Sequence, residues 1–246
     1  MNAPGPYVAL AVNAGLAAAS YAVKAVNLSG VLGGLLVGFI VLRFGGWGSF
    51  TILVLFFVLG SAATKLGYRR KLALGVAQLD RGRRSARHAF ANCGVGAAAA
   101  LAYSFVDGRV GHESAEAALV ILAAAFATAL FDTVSTEIGQ LFGKHPFLIT
   151  TFKPVPVGTD GAISVEGTLA GLAAGVLIAV VGAAFGLYRP LGILFVSSGA
   201  FIGTTFESIL GAASSRGKRL DNELLNFLNT VVGGVVAGAM SLAVAA

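Results

Sequence analysis

Three acidic residues stand where an apolar chain gains nothing from charge: Asp132 and Glu137 interrupt one long apolar run, and Glu207 sits near the end of another. A charge at membrane depth costs about 2.5 kcal/mol or more, and such residues are kept where they pair, bind an ion or line a polar cavity. Within residues 131–139, helical spacing places Asp132, Ser135, Thr136 and Gly139 on one face and Glu137 on the adjoining one. A stripe of carboxylate, hydroxyls and glycine suits a hydrated cation or a phosphate better than lipid. Oxygen-only ligands of this kind are the usual choice for Mg²⁺. A buried ion pair is the plainer alternative.

A second polar stripe runs along the last apolar segment, where Asn222, Asn226, Asn229 and Gly233 recur at i, i+4, i+7 and i+11 with Glu223 beside them. Asparagine amides entering a membrane helix need partners. Interhelical hydrogen bonds would serve, and so would a nucleotide base, a sugar or a metal. The third feature is the loop 150–164. Pro154 and Pro156 fix an extended path there, and Gly158, Thr159, Asp160 and Gly161 read as a tight turn or backbone nest. Ser164, Glu166, Gly167 and Thr168 then open a helix, whose N-terminal N–H groups favour anions. Lys153 adds a mobile positive charge to this loop, which otherwise reads as an ordinary polar connection.

The elements that must position these groups follow from composition. Of 246 residues, 57% are apolar and 11% charged, against about 25% charged in an average soluble domain. With a mean hydropathy of +0.85, this excludes a disordered chain, a nucleic-acid arm and most soluble enzymes. What remains is an all-α polytopic membrane bundle, one domain over residues 1–246. Apolar runs fall at about 7–23, 29–42, 49–66, 88–106, 115–141, 168–187, 191–210 and 224–245. Nothing charged precedes the first, so it reads as a helix of the bundle rather than a cleaved signal peptide.

Eight spans sort the cations. Fourteen of the 17 Lys and Arg fall on one side: Lys24, the 65–87 stretch, Lys144, Lys153, Arg216, Lys218 and Arg219. Only Arg43, Arg109 and Arg189 fall on the other. The positive-inside rule makes the rich side cytoplasmic and leaves both termini outside. The basic residues lie where topology needs them, so the expected partner is the lipid bilayer and not nucleic acid. Eight of the 11 acids share the cytoplasmic side or the cytoplasmic halves of helices, including every member of the stripes above. The glycine stripes, such as Gly167, Gly171 and Gly175, read as seams where helix backbones approach closely. A single cysteine, Cys93, excludes an intrachain disulfide and a cysteine-built metal site.

Taken in order, several of these segments resemble a known family. Asp132, Thr133, Glu137, Ile138 and Gly139 are followed by Thr150, Thr151, Lys153, Gly158, Thr159, Asp160, Gly161, Ser164, Glu166, Gly167 and Thr168. Upstream lie Thr64 to Gly67, Arg83, Arg84, Ala91 and Asn92; downstream lie Glu207 to Ala212, Asn222, Glu223 and Asn226. Together they are similar to the integral membrane family called domain of unknown function 92, from about residue 28 onward. That family contains a plant chloroplast phytyl-phosphate kinase and vertebrate transmembrane protein 19. Ser135 and Thr136 depart from it, standing where Ala and Ser are expected. A looser likeness runs through Asp132, Gly143, Lys144, Ser164, Glu166, Gly167, Glu207 and Ser208 to dolichol kinases, phytol kinases and CDP-diacylglycerol synthases. Those enzymes work at the cytoplasmic membrane surface with a nucleoside triphosphate, usually CTP, and a divalent metal.

The resemblance implies a multi-pass membrane phosphotransferase, in the inner membrane if the source is bacterial. It would carry an isoprenoid monophosphate to the diphosphate with a nucleoside triphosphate, CTP favoured, and Mg²⁺. On that implication Asp132, Glu137, Lys153 and Glu207 are catalytic, and Asp132, Asp160, Glu207 and Glu223 hold the metal. Lys153, Gly158, Thr159, Asp160, Gly161, Ser164, Gly167, Thr168, Ser208, Asn222 and Asn226 meet the nucleotide and phosphates. A CTP-dependent cytidylyltransferase and a membrane transporter are the alternatives. Against a transporter stands one-sidedness, since a transporter needs polar groups near the midplane. Cysteines introduced at Arg83 and Lys218 should both be labelled from the cytoplasmic face; labelling from opposite faces would break the eight-span order.

Overall fold

A computed structural model describes residues 3–214 and 221–245, and the cations Arg216, Lys218 and Arg219 lie outside the described residues. The chain forms helices α1 (Pro6–Ala22), α2 (Leu28–Lys65), α3 (Tyr68–Ala73), α4 (Ala86–Val106), α5 (His112–Phe142), α6 (Val165–Ala184), α7 (Gly192–Ser214) and α8 (Asn222–Ala245). Between α5 and α6 lies a two-stranded antiparallel pair, β1 (Phe147–Leu148) and β2 (Ala162–Ile163), with Phe147 opposite Ile163. The protein is an all-α polytopic membrane bundle.

Among the described residues six helices are long and apolar enough to cross a membrane: α2, α4, α5, α6, α7 and α8. The eight runs of the sequence map onto fewer continuous helices because the second and third are joined. α2 is 38 residues long and breaks at Gly46, whose φ of 75° and ψ of −177° lie in a region open essentially to glycine alone. Its two arms fold back on each other. Gly38 on the first approaches Phe50 on the second, and Gly30 and Gly60, one from each arm, both lie against Arg84. With α2 counted as two arms and the 17-residue α1 included, all eight expected runs are helical.

α5 is the axis. It packs against α2, α4, α6, α7 and α8, and 83% of its apolar window is buried, against 33–44% in the other spans. Its alanines let neighbours approach, and glycines on those neighbours receive its larger side chains: Gly96 meets Phe126, Gly171 meets Phe131, and Gly233 meets Thr128. At 1.5 Å per residue, the 20 residues from His112 to Asp132 rise about 30 Å, the thickness of a hydrocarbon core. The turns from Asp132 onward therefore reach the polar edge of the bilayer.

Short polar caps fix the helix starts at that edge. Asn27 accepts from Gly30 N at 3.0 Å, Ser85 from His88 N at 3.4 Å, and Ser164 from Gly167 N at 3.1 Å. Gly46→Ala should lower unfolding stability in detergent by about 1–3 kcal/mol, the cost of a forced backbone conformation. Gly34→Ala, at a helical position with open space where the Cβ would stand, should not. Denaturant titration of helical content distinguishes the two.

Candidate active site

The last turns of α5 and α7, the first turn of α6, the start of α8 and the loop 146–164 enclose a cavity of ≈ 450 Å³. That lies within the usual range of about 300–1,000 Å³ for small-molecule sites. Its floor is the predicted face of α5: Asp132, Ser135, Thr136 and Gly139 all line it. α7 supplies Thr204, Thr205, Glu207 and Ser208, with Thr204 one turn from both Glu207 and Ser208. The Asp132 and Glu207 carboxyls lie within hydrogen-bonding reach of each other, both half-buried. Two carboxylates this close repel unless a proton or a cation stands between them.

The loop forms the opposite wall. Gly158 and Gly161 adopt φ of 86° and 74°, and between them Thr159 Oγ1 donates to Pro156 O at 2.8 Å. Gly161 is pressed against the Ser208 carbonyl and the Ala212 backbone, so any side chain there would drive the loop off α7. Thr159, Asp160, Ser164 and Thr168 line the cavity with Gly158 and Gly161, and Asn222 stands exposed at its rim. Ser164 is spent on capping α6, and Ser208 Oγ donates to Thr204 O at 3.1 Å.

Five expected site residues are placed elsewhere. Glu137 is buried and pairs with the equally buried Lys71, while Gln78 Nε2 donates to its other oxygen at 2.7 Å. Lys71 also donates to Thr64 O at 2.8 Å, so Glu137 ties α5 to α3 and the end of α2 rather than facing the cavity. Lys153 is exposed on the turn that follows β1, where its carbonyl accepts from Leu148 N at 3.1 Å, and it is not among the lining residues. Gly167 is consumed by the α5–α6 seam, against Ser135 O and Gly139. Asn226 is buried outside the lining, and Glu223 turns to α4, where His88 Nδ1 lies 2.7 Å from its Oε1.

Three further residues bear on the site, one from the asparagine stripe and two that the sequence did not mark. Asn229, the third member of the asparagine stripe, donates to Glu207 and thereby orients it. Its periodicity was a usable signal. Thr204 lies one turn from Glu207 and Thr205 lines the same cavity, and Thr204 Oγ1 is buried without a hydrogen-bond partner.

The donor set fits a magnesium ion. Mg²⁺ is usually bound by one or two carboxylates together with substrate phosphates and waters. Asp132 and Glu207 supply the carboxylates, and the Thr204 hydroxyl is an unspent oxygen beside them. Among the described residues no third His, Cys, Asp or Glu joins them, so Asp160 and Glu223 do not complete a protein-only cage.

Comparison with known proteins places the whole assembly in a wider group. The profile of the integral membrane protein family DUF92 matches residues 11–234. An uncharacterised membrane protein of the cyanobacterium Synechocystis is 41% identical over 78% of this chain and 73% of its own. Protein VTE6, chloroplastic, of Arabidopsis thaliana is 36% identical over 87% of this chain, which spans 65% of that relative. An uncharacterised membrane protein of Methanocaldococcus jannaschii is 33% identical over 87% of this chain and 84% of its own. No solved structure matches.

Removing one partner of the Lys71–Glu137 pair should cost about 3–5 kcal/mol, because the other charge stays buried and alone. Lys71→Met with Glu137→Leu should recover much of the loss seen in either single variant. A Glu137→Gln protein of undiminished stability would contradict a structural role for this acid.

Proposed function

This chain belongs to the integral membrane family DUF92, and on that footing we propose that it is a membrane-embedded phosphotransferase of isoprenoid lipid metabolism. Its reaction converts a prenyl or phytyl monophosphate to the diphosphate with a nucleoside triphosphate, CTP favoured, at the cytoplasmic face. The chloroplast phytyl-phosphate kinase within the resembled family supports the reaction class. The observation that carries the reading is the close pair of Asp132 and Glu207 carboxyls lining a cavity walled by a glycine-turn loop.

An oxygen of the acceptor phosphate attacks the γ-phosphorus of the donor. The bond from that phosphorus to the β–γ bridging oxygen breaks, and the nucleoside diphosphate leaves with the electron pair. Such a transfer asks mainly for positioning and charge stabilisation. Mg²⁺, when bound, would offset the charge on the phosphate oxygens, with Asp132 and Glu207 as its protein ligands and Thr204 beside them. Asn229 holds Glu207 in place by hydrogen bond. The 158–161 turn presents backbone to the phosphates, Ser164 and Thr168 border the α6 N-terminus, and Asn222 at the rim meets the donor.

Purified protein in detergent, given γ-labelled CTP, UTP or ATP and a panel of prenyl monophosphates, tests this. The expected product is a labelled prenyl diphosphate. A nucleotide-linked lipid would redirect the reading to cytidylyl transfer, and no product with any pair would refute both. Asp132→Asn and Glu207→Gln should each lower turnover at least about a hundredfold, the scale for losing one positioned stabilising group, while helical content stays unchanged.

A further inference from the structure

The kinase reading leaves one buried cation unused. Arg84 precedes α4 and is 7% exposed. Its backbone is fixed: Arg84 N donates to Ala25 O at 2.9 Å, and Arg84 O accepts from Asn27 N at 3.1 Å. Its guanidinium is not satisfied. Nη2 reaches Thr64 Oγ1 only at 3.5 Å, Nε has no hydrogen-bond partner, and the group lies over the Phe56 ring at 5.9 Å. Among the described residues no carboxylate pairs with it. A buried, unpaired charge of this kind is costly. Guanidinium forks bind phosphate oxygens well.

Arg84 closes one end of a narrow cleft of ≈ 90 Å³ between α1, the two arms of α2 and the start of α4. Leu16, Val31, Val37, Val54 and Phe57 make most of its wall apolar, and His88 stands beside Arg84 at the polar end. At Gly34 the cleft is open, with nothing within 4 Å of where a Cβ would stand. On its other side Arg84 comes close to α5 across Gly60. A Cβ on Gly60 would touch both Arg84 Nη2, at 3.2 Å, and Thr133 Cγ2, at 3.7 Å, and Thr133 neighbours Asp132 on α5.

We infer that this cleft is the acceptor site: the head-proximal part of an isoprenoid monophosphate lies along α1 and α2, with its phosphate held by Arg84 and turned toward Asp132. The assignment rests on the kinase reading, which gives the larger cavity to the nucleotide. The charge matches: an apolar track ends at an unpaired buried cation. The rest of a long chain leaves past Gly34 into lipid.

The test measures binding apart from turnover, with tritiated geranylgeranyl monophosphate and geranylgeraniol as lipid probes and labelled CTP as nucleotide probe, in detergent micelles. Arg84→Gln should weaken the monophosphate at least about tenfold and leave the alcohol unchanged. Gly34→Leu, which fills the track, should weaken both lipids. Neither should change CTP binding more than about twofold, which also reports that the variants are folded. In the wild-type protein a diazirine-bearing prenyl monophosphate should label α1 and α2. Labelling confined to α6–α8, unchanged monophosphate affinity in both variants, or equal affinity for phosphatidic acid would overturn the acceptor site. If CTP fails to bind while the lipid pattern holds, the kinase reading falls and the Arg84 anchor stands.

Discussion

A helix enclosed by five others, yet long enough to cross the bilayer and continue beyond it, cannot turn a charge toward lipid. Every polar group on α5 must find its partner inside the protein, and the rest of the fold follows from that requirement. Thr128 returns its hydroxyl to Ala124 O at 2.7 Å. Glu137 draws in Lys71 and Gln78, and so fastens the short α3 segment beneath the end of α2. Asp132 draws in Glu207 of α7, which is in turn held by Asn229 of α8. One element thereby recruits its neighbours by chemistry as well as by packing.

The polar loop depends on the same axis. Its two ends are clipped together by β1 and β2, and its middle is held against the last turns of α7 through Gly161. Ser164 serves twice, capping α6 and standing against Gly139 and Gly143 at the end of α5. A loop fixed at three places keeps its shape above a cavity that water enters. That gives the 158–161 turn the rigidity a phosphate-binding backbone requires.

Much of this was legible in the sequence, because periodicity identifies faces. The α5 stripe from Asp132 to Gly139 lines one cavity as its spacing predicts, and the apolar runs are helical. Periodicity does not identify partners, however. Glu137 differs from Asp132 by only one face of a helix, yet one is sealed by a lysine from α3 and the other opens on a cavity. Lys153 looked placed for phosphate by its neighbours in sequence, but the turn after β1 carries it out to solvent. The gap between the second and third apolar runs marked the break but not the residue that makes it, since Gly45 and Gly48 lie in helix while Gly46 takes a positive φ. Arg84 read as one of many interfacial cations, since nothing in a basic stretch marks the member whose backbone is bridged into the core.

The physical difficulty of the proposed reaction is that its two reactants belong in different solvents. A nucleotide cannot enter the hydrocarbon, and an isoprenoid chain cannot leave it, so the transfer must occur where a polar and an apolar compartment share a wall. Arg84 and Thr133 approach each other across Gly60, between a cleft of ≈ 90 Å³ lined by Arg84 and the turn of α5 whose Asp132 lines the cavity of ≈ 450 Å³. The arrangement of charge follows from this division. Carboxylates on the nucleotide side attract the metal that accompanies a triphosphate, and would repel a bare lipid phosphate. A cation on the lipid side attracts that phosphate and holds it short of the carboxylates. On the proposed assignment, opposite signs in the two compartments would sort the reactants before they meet. The small residue at position 60 keeps that approach close: a Cβ there would press on the guanidinium at 3.2 Å while making ordinary contact with Thr133 at 3.7 Å.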